Sequence, residues 1–211
     1  MNNLLYKELK LSINKFFYLL PLILAALMFI PNWIYTLVFM YFFWITIPQI
    51  YGGYIGQKDN SFINMLPVSK KEIVKSKIHA VLILEALHLV TAFLLGLVHN
   101  AIYGSYNFFF DINLAFVGII LMMFALFNLV FFTNYFKTGY FFGRPTVYGV
   151  VVTLVYAFIV EFSVAKYQGV RDVFEGDFSN QLLVFVVGLI ITVLLSWVTI
   201  KQSIMHYESI E

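Results

Sequence analysis

Apolar runs of membrane-spanning length recur six times along this chain, and that recurrence constrains the fold more than any other feature. A helix needs about 20 mostly apolar residues to cross the hydrocarbon core of a bilayer. The pattern predicts spans over residues 16–30, 33–56, 78–99, 112–136, 145–166 and 182–200. Pro31-Asn32 reads as a tight turn after the first span. Pro145 suits the first turn of the fifth, where a missing N–H costs nothing. Charged residues make up only 11% of the chain, against about 25% in soluble domains. Most of the surface must therefore face lipid. The expected fold is an all-α membrane protein with six transmembrane helices, one domain over residues 1–211, with no linker and no internal repeat.

Orientation follows from the basic residues. Of the 13 Lys and Arg, all but Lys166 and Arg171 fall on one side of this predicted arrangement. The loop holding those two also carries Asp172, Glu175 and Asp177. Positive charge stays cytoplasmic, so both termini of this multi-pass membrane protein are expected there. The first apolar run lacks a small-residue cleavage site, and no cleavable leader is expected. The absence of cysteine excludes disulfides and thiolate chemistry. A net charge of +2 gives no reason to expect a nucleic-acid partner.

Two cytoplasmic elements stand out. In the first, residues 1–15, Leu5, Leu9, Ile13 and the following Phe16 recur at helical spacing, while Lys7, Lys10 and Asn14 fall elsewhere. That suits a helix lying in the interface between acyl chains and headgroups, although a basic lead-in to the first span also fits. The second element is the loop 57–77. Asp59 or Asn60 is placed to cap a short helix, and Pro67 stops it after about two turns. Ser69 and Glu72 then form an S-x-x-E capping box that starts the helix running into the third span. Phe62, Ile63, Met65 and Leu66 give the short helix more apolar surface than an idle loop needs. Docking of a partner protein and dipping into headgroups both explain it.

The segment Met65-Leu66-Pro67-Val68-Ser69-Lys70-Lys71-Glu72-Ile73-Val74 resembles the LPVSRKEIV signature of ABC-2 type permeases, and Leu4-Leu5-Tyr6-Lys7-Glu8-Leu9-Lys10-Leu11 is similar to the start of that family. The likeness is greatest to small bacterial permeases without a fused ATPase, including those of phenol-soluble-modulin exporters. The resemblance implies a dimer, with a second copy or a paralogue, and a separate ABC ATPase subunit bound to each permease. It also implies that the short helix is a coupling helix docking on the ATPase through Asp59, Asn60, Phe62, Ile63, Met65 and Leu66. A hydrophobic or amphipathic substrate, possibly a peptide, would then be exported. The chain lacks a G-x-x-x-x-G-K-[ST] loop, so no cofactor is expected in it; ATP and Mg would sit on the partner ATPase.

Ionisable groups inside a bilayer cost roughly 2.5–3.5 kcal/mol on insertion scales and invite scrutiny. Glu85 and His88 lie three apart on the third span. They are expected to form a structural polar pair or to line a wet cavity; a metal site would need a second such pair and further carboxylates. An ATPase-independent secondary transporter or channel-like protein would instead use them as a proton site. Glu161 is expected at the outer interface, within reach of headgroup water. Asn128, Thr133 and Asn134 should face protein. Gly52 and Gly56 allow either close helix approach or a loosened helix end. The aromatic outer loop 100–110 is expected to anchor at the interface or plug the pathway. The acidic loop 168–180 is expected to be solvated. The chain shows neither paired intramembrane glutamates nor a Ser-His motif, so an enzyme is not expected.

Overall fold

The computed structural model describes residues 2–104 and 107–210. Met1, at the head of the expected interfacial helix, and Ser105 and Tyr106, in the expected outer loop, lie outside the described residues, as does Glu211. Every regular element among the described residues is helical. Helix α1 (Asn2–Lys7) continues through a π turn (Glu8–Ser12), and α2 (Phe16–Ala25) through a 3-10 turn (Ala26–Phe29). Next come α3 (Thr36–Tyr41), a π turn (Phe42–Thr46) and α4 (Ile47–Gly56), which together form one rod over 36–56. The short α5 (Asp59–Asn64) precedes α6 (Lys70–Tyr103), α7 (Leu114–Lys137), α8 (Gly143–Lys166), α9 (Gln168–Glu175) and α10 (Phe178–Glu208).

Four helices, α6, α7, α8 and α10, are each long and apolar enough to cross a membrane. The segments Asn3–Ser12 and Phe16–Phe29 make a fifth only if taken as one span, and they are bent from one another by 72°. Six regular spans are therefore not what the helices individually present. Segment 16–29 is short, and the rod 36–56 is interrupted by its π turn and diluted by Gln49 and three glycines. Helix α10 outruns its expected span at both ends. At α1 the inward side chains are Leu4, Glu8 and Ser12, with Ile13 beyond them, rather than a Leu5-Leu9-Phe16 stripe; Phe16 is exposed. The reason is that Glu8 is drawn into a buried charge cluster.

Both terminal helices, α5 and the 138–142 connection share one end of the bundle. There Tyr140 donates to the Tyr207 hydroxyl at 2.7 Å and Lys70 lies over the Tyr207 ring at 5.5 Å. The 30–35 turn, the 107–113 segment and α9 share the other end, where Asn107 donates to the Trp33 carbonyl at 3.0 Å.

Helix α7 is the hub. In its most apolar stretch 61% of residues are buried, against 17% for α10, so α7 is enclosed and α10 peripheral. Its Phe127, Phe131 and Tyr135 stack on one another four residues apart. Phe43 from the 36–56 rod lies flat on Phe127, centroids 3.9 Å apart, and Tyr51 meets Phe131 and Tyr135 edge-on. Such pairs add about 0.5–1.5 kcal/mol each beyond their buried area. Outward faces of α8 and α10 carry Phe158, Ile159, Val193, Leu194 and Trp197, all well exposed, the surface a bilayer would cover.

Close backbone approach occurs where α7 crosses α10, at Gly118 and Gly188. A Cβ on Gly188 would lie 2.6 Å from the Gly118 carbonyl oxygen, and one on Gly118 would lie 2.7 Å from the Phe185 Cα. Gly52 and Gly56 show no such approach: Gly52 would meet only the tip of Phe142 at 3.9 Å, and Gly56 nothing within 4 Å. Gly188→Ala should destabilise the purified protein by about 1–3 kcal/mol, as overpacking does, read as a lower melting temperature. Gly53→Ala, whose Cβ meets nothing within 4 Å, should not.

Candidate functional site

Helix α5 begins where the chain reverses after α4. Lys58 takes a left-handed conformation (φ 52°, ψ 35°) and makes that reversal possible. The N-cap position belongs to Lys58, without a side-chain capping bond, so neither Asp59 nor Asn60 caps the helix as expected. The Asp59 oxygens are engaged elsewhere, in pairs stronger than a cap. After α5 the chain turns through Pro67, and Ser69 Oγ accepts from Glu72 N while Glu72 Oε2 accepts from Ser69 N, starting α6.

Asp59 reaches inward to two lysines. Lys77 Nζ on α6 lies 2.6 Å from Asp59 Oδ2 and 3.5 Å from Glu8 Oε1. Lys7 bridges the same acids, 3.1 Å from Glu8 Oε1 and paired with Asp59 Oδ1. Glu8 and Lys77 are fully buried and Asp59 nearly so. The Lys77 ammonium also sits 3.5 Å from the Tyr54 ring centroid, an arrangement in which the ring face stabilises the cation. Burial alone would raise the Asp59 carboxyl, but the Lys77 and Lys7 ammoniums hold it below its ordinary value. The cluster thus ties α1, α5 and α6 together at one point.

The predicted docking residues divide by direction. Asp59 and Ile63 point inward, Ile63 with no exposure at all. Phe62 and Met65 point outward, 53% and 81% exposed. Asn60 and Leu66 are half-buried, and Asn60 lines a shallow cleft of about 350 Å³ with Lys58, Ser61, Tyr135 and Tyr140. Sequence spacing missed Glu8 and Lys77 as members of the site. Their signal was a pair of charges falling on otherwise inward faces.

Glu85 and His88, both buried, are not paired with each other. Glu85 Oε2 accepts from Asn128 Nδ2 on α7 at 2.8 Å, and His88 Nε2 lies 3.2 Å from the Val38 carbonyl. The reason is that each turns toward a different neighbour, α7 or the 36–56 rod. Among the described residues there is no group of three or more His, Cys, Asp or Glu arranged to hold a metal ion.

A sequence model described as "ABC-2 family transporter protein" matches residues 3–208, nearly the whole chain. The chain belongs to the ABC-2 transporter family. No curated protein matches it, and no solved structure does. Membership makes this ABC-2 protein a membrane-spanning transport subunit of a multi-pass kind, working in a family that operates with ATPase subunits and lipid.

At the opposite end of this ABC-2 protein, Glu161 is not an interfacial carboxylate in headgroup water. It is 5% exposed, accepting from the Thr36 hydroxyl at 2.8 Å and from Phe110 N at 3.0 Å. It also lines a cleft of about 510 Å³ between α3, α8 and the Phe108-Phe109 segment. The segment after Tyr167 is mostly helical rather than a loop, and its helix α9 has no fully buried residue. Arg171 on α9 donates to the carbonyls of Asn107, Phe108 and Phe109 at 2.6, 3.1 and 3.1 Å, and pairs with Glu175 at 2.7 Å. Glu175 in turn accepts from Asp111 N at 3.0 Å. Burial, then the Glu175 charge, pushes the Asp111 carboxyl up to about 7.

Two predictions follow from these geometries. Lys77→Ala leaves two buried carboxylates short of a partner and should cost about 3–5 kcal/mol, measured as a fall in melting temperature. Asp111 holds its proton more tightly folded than unfolded, so its contribution is full below about pH 4 and is lost as pH rises through about 7. Amide-exchange protection of 107–113 and α9 should therefore fall between about pH 4 and 7, and Asp111→Asn should flatten that dependence.

Proposed function

We propose that this ABC-2 protein is the permease subunit of an exporter driven by a separate ABC ATPase, which would bind ATP and Mg²⁺ in its own chain. In this reading segment 16–29 and the rod 36–56 join α6, α7, α8 and α10 to make six crossings. At about 1.5 Å per residue the rod is long enough to cross, while 16–29 crosses at the cost of local thinning. The basic end, with both termini, faces the cytoplasm, and α1 lies along the inner surface. Two permeases, identical or paralogous, pair in the bacterial cell membrane and move a hydrophobic or amphipathic cargo outward, a peptide among the candidates.

The observation that carries this reading is the two-sidedness of α5. Its outward face offers Phe62 and Met65 to a partner, while its root is fixed to α1 and α6 by the buried charges. A force on Phe62 and Met65 therefore reaches the spans rather than bending a loop. Aromatic and Met side chains are also the types enriched at protein interfaces.

Affinity purification of the tagged protein in mild detergent tests it. A stoichiometric P-loop ATPase should accompany the wild type and be lost from the Phe62→Asp, Met65→Asp double variant, whose melting temperature should stay within a few degrees of wild type because both side chains are exposed. A folded wild type that brings no ATPase would sink the proposal.

A further inference from the structure

Three helices bring unpartnered polar atoms together within the membrane-spanning part of the bundle. Glu85 on α6 and Asn128 on α7 are 3% and 2% exposed, and the Asn128 amide donates to Glu85 Oε2 at 2.8 Å. That bond leaves Glu85 Oε1 and Asn128 Oδ1 without hydrogen-bond partners, and Thr192 Oγ1 on α10 has none either. A native interior rarely leaves such atoms unmatched, and three in one place call for a reason. All three residues, with Ser196, line one cavity of about 140 Å³.

The cavity has a direction. Leu89, Leu121 and Phe124 make its wall apolar, while Ala86 and Val90 stand at an outward face of α6, Val90 being 57% exposed. The opening is therefore sideways, between α6 and α10, onto the surface that lipid would cover. A water molecule takes about 30 Å³ in the liquid, so there is room for a small polar head and a few methylenes.

The chemistry of the missing partner follows from the atoms present. Beside a cation Glu85 is held as the carboxylate, so its oxygens and the Asn128 amide oxygen only accept, and the Thr192 and Ser196 hydroxyls can accept as well. A ligand that satisfies them must donate several hydrogen bonds, and beside a carboxylate it is favoured if cationic. An anion would find no positive side chain in the lining, and a quaternary ammonium has no N–H to give. The apolar wall and the opening onto lipid require that the cation carry an apolar tail.

We propose that this chamber binds the primary ammonium group of a cationic amphiphile that enters sideways from the bilayer. Glu85 supplies the counter-charge, Asn128 and Thr192 complete the donors' partners, and Ala86 forms the threshold. An alkylamine and a lysine side chain of an amphipathic peptide share this chemistry. The site stands on its own geometry; only its identity as a cargo site rests on the exporter reading.

The test uses the full chain in nanodiscs of zwitterionic lipid, without any ATPase, and reads ligand-dependent shifts in melting temperature. Dodecylammonium should bind saturably, and dodecyltrimethylammonium at least about tenfold more weakly, as expected for the loss of charge-assisted hydrogen bonds. Glu85→Gln should weaken dodecylammonium by a similar factor. Ala86→Phe, at an exposed position, should do so while leaving the ligand-free melting temperature unchanged, which keeps the test valid if Glu85→Gln folds poorly. Competition by a lysine-bearing amphipathic peptide, absent for its acetyl-lysine form, would assign the ammonium to peptides; dodecylammonium binding without that competition would assign it to lipid-like amines. Equal binding of the two detergents, or wild-type affinity in Ala86→Phe, would overturn the proposal and leave Glu85 and Asn128 as a buried structural contact. Because no ATPase is present, failure of the co-purification experiment would not bear on this result.

Discussion

Two ammonium groups and two carboxylates, three of the four buried, meet at the basic end and hold the rest of this architecture in place. Taking any one of them out of water costs several kcal/mol, and mutual attraction offsets that only when all are close. Lys7 and Glu8 come from the first helix, Asp59 from the short helix and Lys77 from a long membrane-crossing one. None of these elements can leave without stranding a charge. The Tyr54 ring under Lys77 adds the end of the 36–56 rod to the same joint. What looks from sequence like a surface loop is thus tied to two other helices by buried ion pairs.

Above that joint the apolar residues are sorted by kind. Phenylalanine and tyrosine concentrate on the enclosed faces of α7 and of the 36–56 rod, where ring stacking fixes one helix against another. Much of the exposed surface of α8 and α10 is aliphatic. Lipid tails are as apolar as leucine, so burying a leucine between helices gains little in a bilayer, and shape and ring contacts must supply the specificity. At the far end the balance shifts to polar bonds: a single guanidinium holds three carbonyls of the 107–109 segment, whose backbone lacks helical partners of its own.

How much of this could be read from the chain depended on distance along it. The four long helices were legible because hydropathy is a local sum, and so was the Ser69–Glu72 capping box, since its partners are three residues apart. The stop of α5 before Pro67 was legible for the same reason. The fate of Asp59 was not: its partners are in α1 and α6, and a local rule assigned it to a cap it does not make. Glu161 was misplaced because a carboxylate near a helix end is usually wet, and only the path of the 107–113 segment brings Phe110 N to it. Glycine spacing left Gly52 and Gly56 open to close approach or to a loosened helix end, whereas close approach is set by which helices cross, and that put it at Gly118 and Gly188.

The glycine crossing also says something about the order in which the molecule can be made. Helix α7, the enclosed hub, owes part of its enclosure to α10, which is synthesised after every other helix described. Until α10 arrives, the notch at Gly118 is open to lipid, and a polar chamber that needs Thr192 has only two of its three walls. Helix α10 is thus a closing stave, supplying both the backbone that Gly118 packs against and the third side of the chamber.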